Sequence, residues 1–215
     1  MARAAGTEHE PEIVGGPRYR GDMQDGLFDV AAQRRELGHG AWLDVRTGWQ
    51  SEPDELFEAL ARDVPWVEER RRMYDRTLPV PRLLRFYDAG AALPHPALAA
   101  AMSELTELYW DDLREPFASV GLCLYRDGSD SVAWHGDTIG RGATHDTVVA
   151  IVSLGATRPF LMRPRGGGAS TRLSVGHGDL LAMGGSAQRT WEHAVPKVPG
   201  AAPRISVQFR VAGVR

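Results

Sequence analysis

The chain has 215 residues, 43% of them hydrophobic and 25% charged, with a formal net charge of −3 and a single cysteine, Cys123. This length suits one domain with a terminal extension, the charge excludes a surface that coats nucleic acid wholesale, and the lone cysteine excludes an internal disulfide and suits a reducing cytoplasm. No stretch is long and apolar enough to cross a bilayer, because Pro94, His95 and Pro96 interrupt the best candidate. The opening residues lack the apolar core of a secretion signal, so a cytoplasmic protein without membrane attachment is expected.

Residues 1–25 mix Ala, Gly, Arg and Glu without periodicity and read as a flexible tail, leaving 26–215 as one domain. Ser51, Pro53 and Asp54 form an S-x-x-D helix start, followed by Leu56, Phe57, Leu60 and Ala61 at helical spacing. A second helix is expected over 96–113, with Leu98, Met102, Leu105 and Leu108 as its stripe. After Glu115 the pattern changes to short runs of Val, Leu, Tyr and Phe between turn residues. Strands are expected over 119–125, 131–135, 147–154, 159–163, 171–175, 179–183 and 204–211. The turn chemistry of Arg126-Asp127-Gly128-Ser129-Asp130 would join the first two as a hairpin. Helices followed by many short strands imply a mainly β (α+β) fold, a double-stranded β-helix or jelly-roll barrel with N-terminal helices packed on one sheet.

His135-Gly136-Asp137, in the second of these strands, carries the chemistry. Side chains at i and i+2 share a strand face, and His193 offers a third ligand from elsewhere in the fold. Two imidazoles and a carboxylate suit a divalent first-row metal and leave positions open for substrates. Zinc accepts the same ligands. His95, His145 and His177 have no comparable arrangement and read as loop or turn residues. In 204–211, Ile205, Val207, Phe209 and Val211 alternate with Arg204, Ser206, Gln208 and Arg210. The polar face reads most simply as solvated. Yet Arg204 and Arg210, about 20 Å apart along the strand, could also converge on one small dicarboxylate beside the metal. Between Thr157 and Ser174, Arg158, Arg163, Arg165 and Arg172 stand without an acidic residue and form a candidate phosphate-facing patch.

From about Trp66 to Arg210 the chain resembles the AlkB family of Fe(II)- and 2-oxoglutarate-dependent dioxygenases. The carriers are Pro81-Arg82-Leu83, Leu124-Tyr125-Arg126-Asp127-Gly128, His135-Gly136-Asp137, Ser153-Leu154-Gly155, His177-Gly178-Asp179-Leu180, Met183-Gly184-Gly185, Trp191-Glu192-His193 and 204–210. The resemblance implies that His135, Asp137 and His193 hold iron as the catalytic centre. It implies that Tyr125 and Arg204 hold the distal carboxylate of 2-oxoglutarate, and that Arg210 supports its metal-chelating end. Oxygen would then drive the dealkylation of damaged bases in DNA, single- or double-stranded, or in RNA, releasing aldehyde, succinate and CO2. It also places Tyr87, Asp88, Ile139 and Arg172 near the substrate, and a monomer is expected. Tyr74, Phe86 and Trp134 are further aromatic candidates for stacking a base.

Two positions that often carry asparagine in the family hold Cys123 and Ser206, which removes two amides from the co-substrate site. Cys123 reads as a small buried thiol. Ile139 stands two residues after the metal aspartate, where many members place an acidic side chain. Its lack of charge implies a preference for neutral or bulkier adducts over cationic methylated bases. Two other functions stay open from residues alone: an iron and 2-oxoglutarate hydroxylase of a small molecule or protein, and a non-catalytic metal-binding barrel.

Overall fold

The computed structural model describes residues 34–73 and 76–214, so the expected tail over 1–25 and Tyr74 lie outside the described residues. Two short strands, β1 (Arg35–Gly38) and β2 (Ala41–Arg46), lead into helix α1 (Pro53–Asp63). A hairpin of β3 (Arg70–Met73) and β4 (Arg76–Pro79) precedes β5 (Leu83–Tyr87), helix α2 (Pro96–Leu108) and the single turn α3 (Trp110–Leu113). The strands β6 (Phe117–Tyr125), β7 (Val132–His135), β8 (Val149–Gly155), β9 (Arg158–Pro164), β10 (Thr171–Val175) and β11 (Leu180–Gly185) follow. The turn α4 (Ala187–Thr190) then runs directly into β12 (Trp191–Val195), and β13 (Arg204–Val211) ends the sheet.

These strands build a seven-stranded sheet in the order β1-β2-β11-β8-β13-β6-β5, facing a four-stranded sheet in the order β10-β9-β12-β7. This is the expected jelly roll. Helices α1 and α2 lie over β8 and β6 on the outer face of the larger sheet. There Leu56, Leu60, Leu98 and Leu105 meet Val120, Leu122, Ile205, Val207 and Phe209 in one buried cluster. A second cluster, with Cys123, Tyr125, Ile151, Phe160 and Met162, fills the space between the sheets. β13 is central, paired with β6 on one side and β8 on the other. The apolar half of its alternation therefore packs under the helices and the polar half points between the sheets. Arg204, Ser206 and Arg210 are buried, not solvated.

Several local expectations change. Helix α1 begins after Glu52, which adopts a left-handed conformation and makes no side-chain cap, so Ser51 does not close an S-x-x-D box. The second helix is two pieces, because α2 stops at Leu108 and Tyr109 leaves helical geometry before α3. His95 proves to be the N-cap of α2, its Nδ1 accepting from the Ala97 N–H at 3.3 Å. The 126–130 segment is a crossover between sheets and not a hairpin, since β6 pairs with β5 and β13 whereas β7 pairs with β12. Its turn chemistry is real all the same. Asp127 Oδ1 accepts from the Ser129 N–H at 2.7 Å, and the Asp130 carboxylate accepts from the Arg126 backbone and guanidinium.

Gly184 shows how tightly the larger sheet is filled. It pairs across the strands with Trp42, whose ring stacks on Tyr109 with centroids 5.8 Å apart. A Cβ at 184 would sit 1.9 Å from the Trp42 ring. Gly184→Ala is therefore expected to displace the indole and cost about 3 kcal/mol, lowering the melting temperature by roughly 10 °C in a chain of this size. A calorimetric scan reads this directly; an unchanged melting temperature would mean that the indole has room to move.

Candidate metal and dicarboxylate site

The β7–β12 pairing sets His135 directly opposite His193 and brings their rings to 4.2 Å. β7 ends at His135, so Asp137 reaches the same face from a loop and not from strand alternation. Two contacts fix that loop. The Asp137 N–H donates to Gln188 Oε1 at 2.9 Å, and Arg165 donates to the carbonyls of Gln188 and Arg189 from beside Gly136. A Cβ on Gly136 would lie 2.5 Å from the Gln188 carbonyl oxygen and 2.8 Å from Arg165 Nη2, so only glycine fits there.

His135, Asp137 and His193 each offer a ligand atom, all within 4.8 Å of one another, and so could hold a metal ion. His135 Nδ1 lies 2.9 Å from the Ala133 carbonyl. A carbonyl only accepts, so the proton sits on Nδ1 and the Nε2 lone pair stays available for a metal. Burial pushes His193 down to about 3, helped by the neighbouring His135 and opposed by Asp137, which keeps the imidazole neutral. Phe160 stacks on that ring at 5.3 Å. Burial alone would raise Asp137, but Arg210 and the two histidines outweigh it and bring the carboxyl down to about 2. Arg210 donates through Nε at 2.8 Å and lies at 2.7 Å through Nη2, both to Asp137 Oδ2. The other carboxylate oxygen, Oδ1, is the one that faces His135.

The triad opens into a cavity of about 340 Å3 whose floor is the polar face of β13 and β6, with Tyr125, Cys123, Arg204, Ser206, Gln208 and Arg210. Register explains the grouping, because Arg204 pairs with Tyr125, Ser206 with Cys123 and Gln208 with Gly121. Arg204 is fully buried. Its Nε donates to Ser153 Oγ at 2.9 Å and its guanidinium lies 5.3 Å from the Tyr125 ring centroid. Among the described residues Arg204 Nη1 has no hydrogen-bond partner. Arg204 lines this cavity, and a buried guanidinium with an unspent donor calls for an anion. Burial, reinforced by Cys123, pushes the Tyr125 hydroxyl up to about 12, so it keeps its proton and can donate as well. The donor set thus fits a divalent metal beside a small dicarboxylate.

Not every residue expected near the substrate meets there. Ile139 stands 67% exposed where this cavity adjoins two others. Asp88 lines one of those neighbours together with Phe86. Tyr87 is instead buried in the cluster under the helices, and Arg172 is exposed on β10, the edge strand of the smaller sheet. The basic segment also divides. Arg158 is 1% exposed, Arg163 is paired with Glu192 at 2.9 Å and packed over Trp134, and Arg165 supports the metal loop. Three of its four arginines are therefore structural and do not form a phosphate-facing patch.

Gln188 is a site residue without a sequence signal, and Arg158, expected in a phosphate-facing patch, stands beside Tyr125 instead. Arg158 flanks Tyr125 at 5.5 Å from the ring centroid and donates to the carbonyls of Asp127, Asp130 and Pro196. Nothing local marks either residue, because both act through partners more than twenty residues away. His177, read as a loop residue, ties helix α1 to the larger sheet: Nδ1 accepts from the Gly155 N–H at 2.7 Å and Nε2 meets Asp54 at 3.1 Å.

Comparison with known proteins agrees with this geometry. Residues 50–210 match the model of the 2OG-Fe(II) oxygenase superfamily. Alpha-ketoglutarate-dependent dioxygenase alkB homolog 3 of Mus musculus is 30% identical over 94% of this chain and 76% of its own length. DNA oxidative demethylase ALKBH2 of Arabidopsis thaliana is 30% identical over 82% of this chain and 68% of its own. Among solved structures, OsALKBH1 superposes with a TM-score of 0.56 at 16% identity, covering 83% of this chain and 99% of that one.

Proposed function

The chain belongs to the AlkB family of the 2OG-Fe(II) oxygenase superfamily, and from that membership we infer that it is an Fe(II)- and 2-oxoglutarate-dependent dioxygenase that oxidatively dealkylates damaged bases in DNA. The observation that carries this reading is the convergence, in one cavity, of the His135–Asp137–His193 triad and the unspent Nη1 of buried Arg204. Iron, 2-oxoglutarate and dioxygen, when bound, supply an oxidation in which one oxygen atom ends in succinate and the other on the alkyl carbon, which leaves as an aldehyde.

The chain's own residues do the positioning. Ala133 and Arg210 orient His135 and Asp137 so that each presents one ligand atom, and Phe160 covers His193. Arg204 and the protonated Tyr125 take the distal carboxylate, with the Arg158 guanidinium also near, 5.5 Å from the Tyr125 ring centroid. Asp137 and His193 are buried between the two sheets, His135 is partly exposed at the sheet edge, and Ile139 stands at the mouth of the cavity. A target base must leave its stack to reach that mouth. The reading extends to single- and double-stranded DNA as substrate, RNA included, and to a monomer in the cytoplasm, the latter supported by the single buried thiol of Cys123.

The test supplies Fe(II), 2-oxoglutarate and air, with and without an alkylated single-stranded oligonucleotide, and measures succinate and aldehyde. Stoichiometric release of both on addition of oligonucleotide is expected. Succinate without aldehyde from any oligonucleotide would point instead to a small-molecule or protein hydroxylase, and no succinate at all to a non-catalytic barrel.

Ile139 sets the expected lesion. Ile139 itself brings no charge to the mouth, while Glu69 and Asp88 line the adjoining cavities and are engaged with partners. Etheno adducts are therefore expected to turn over faster than 1-methyladenine or 3-methylcytosine in matched oligonucleotides. Ile139→Asp is expected to shift the ratio toward the cationic lesions by roughly tenfold, about 1.4 kcal/mol of charge attraction. Parent enzyme that already prefers the cationic methyl lesions would sink this assignment.

A further inference from the structure

Gln208 bonds to three of the residues on the cavity floor. Its Nε2 donates to Cys123 Sγ at 3.2 Å and to Ser206 Oγ at 3.0 Å. Its Oε1 accepts from Arg210 Nη2 at 3.3 Å, and Arg210 in turn holds Asp137. The cross-strand partner of Gln208 is Gly121, where a Cβ would come within 3.0 Å of Gln208 Oε1 and 2.9 Å of Arg210 Nη1. That gap is what lets both long side chains lie flat along the floor. A continuous chain of polar contacts therefore runs from the two small side chains at the dicarboxylate end, through one amide, to the carboxylate of the metal triad.

We propose that Gln208 is a positioning residue that couples occupancy of the dicarboxylate floor to the metal carboxylate through Arg210, an inference that rests on the iron and 2-oxoglutarate reading. Its amide donates toward the floor and accepts from Arg210, so a ligand that orders Ser206 and Cys123 also orders the acceptor that steadies the Arg210 fork. Arg210 is then held where it leaves Asp137 Oδ1 free for metal. Coupling of this kind is reciprocal: the factor by which the dicarboxylate tightens metal binding equals the factor by which metal tightens the dicarboxylate.

The test needs no turnover. The dissociation constant of Mn(II) for the full chain is measured by the electron paramagnetic resonance signal of free Mn(II), with and without 2-oxoglutarate. The ratio of the two constants is the coupling factor. Direct contact between ligand and metal contributes to that factor in every variant, so the change in the ratio is the readout. Gln208→Met, of similar length but without an amide, is expected to reduce the ratio by roughly fivefold or more, the lower end of ordinary coupling between sites, and to weaken Mn(II) binding alone. Gln208→Glu keeps an acceptor for Arg210 but no donor for the floor; it is expected to retain Mn(II) affinity while losing the coupling. Circular dichroism melts confirm that both variants fold, and each variant stands as a test if the other does not fold. An unchanged ratio in either folded variant overturns the proposal and leaves the dioxygenase reading standing, whereas a parent protein that binds Mn(II) and 2-oxoglutarate independently overturns both, because direct contact between ligand and metal would itself couple them. A parent protein that binds neither overturns both.

Discussion

His135→Ala is expected to abolish aldehyde and succinate release while leaving the protein folded. The side chain is 39% exposed on the edge strand of the smaller sheet, so truncation leaves no large cavity. Metal affinity is expected to fall by more than about 100-fold, the upper end of what removing a mere outer-shell partner costs, because a ligand and its prepared tautomer both disappear. Mn(II) titration with a parallel thermal melt separates the two effects. Metal binding retained within tenfold of the parent, in a folded variant, would mean that the ion sits elsewhere. His193→Ala makes a less informative variant: that ring is buried against Phe160, and a lost fold would mimic a lost ligand.

Legibility in the sequence followed the range of the interactions. The alternation in 204–211 is a local pattern and translates into structure because strand geometry is local, whereas the H-x-D pair meets its expectation by another route, Asp137 reaching the face of His135 from a loop. Whether the polar half of that alternation faces water is not local. It depends on β13 lying between β6 and β8, which no periodicity within eight residues can express. The same limit explains the basic segment, where Arg158, Arg163 and Arg165 look alike in sequence. Their partners are the carbonyls of Pro196, the carboxylate of Glu192 and the carbonyl of Gln188, each more than twenty residues away. Asp127-Gly128 misleads in another way. Its turn forms as its chemistry demands, but a Cβ on Gly128 would fall 1.7 Å from the Val198 carbonyl oxygen. The glycine is set by the approach of the chain between β12 and β13, and not by a two-residue hairpin.

The two buried guanidiniums that flank Tyr125 are expected to respond in opposite senses to replacement by methionine. Arg158 donates to three carbonyls, and removing it leaves those acceptors buried and unpaired, so Arg158→Met is expected to lower the melting temperature whether or not ligand is present. Arg204 is charged in the interior with Ser153 Oγ and Tyr125 as compensation, and its Nη1 is left unpaired among the described residues. Burial depresses its pKa, as it does that of Arg158, but Arg204 lacks the three carbonyls that offset the cost of burial for Arg158. Arg204→Met removes that cost along with the function. In the absence of 2-oxoglutarate the variant is expected to melt at or above the parent temperature, as when a poorly compensated buried charge gives way to a side chain of similar volume. With 2-oxoglutarate the order reverses, because the parent gains ligand stabilisation and the variant does not. Losing one partner of a buried charge pair costs about 2–5 kcal/mol, so the KM for 2-oxoglutarate is expected to rise by roughly 30- to 5,000-fold, with a much smaller change in kcat at saturation. Melting curves of the parent and both variants, each with and without 2-oxoglutarate, decide the matter. An Arg204→Met protein that melts well below the parent without ligand would show that the guanidinium holds the barrel together, and the anion would then have to be bound by other donors.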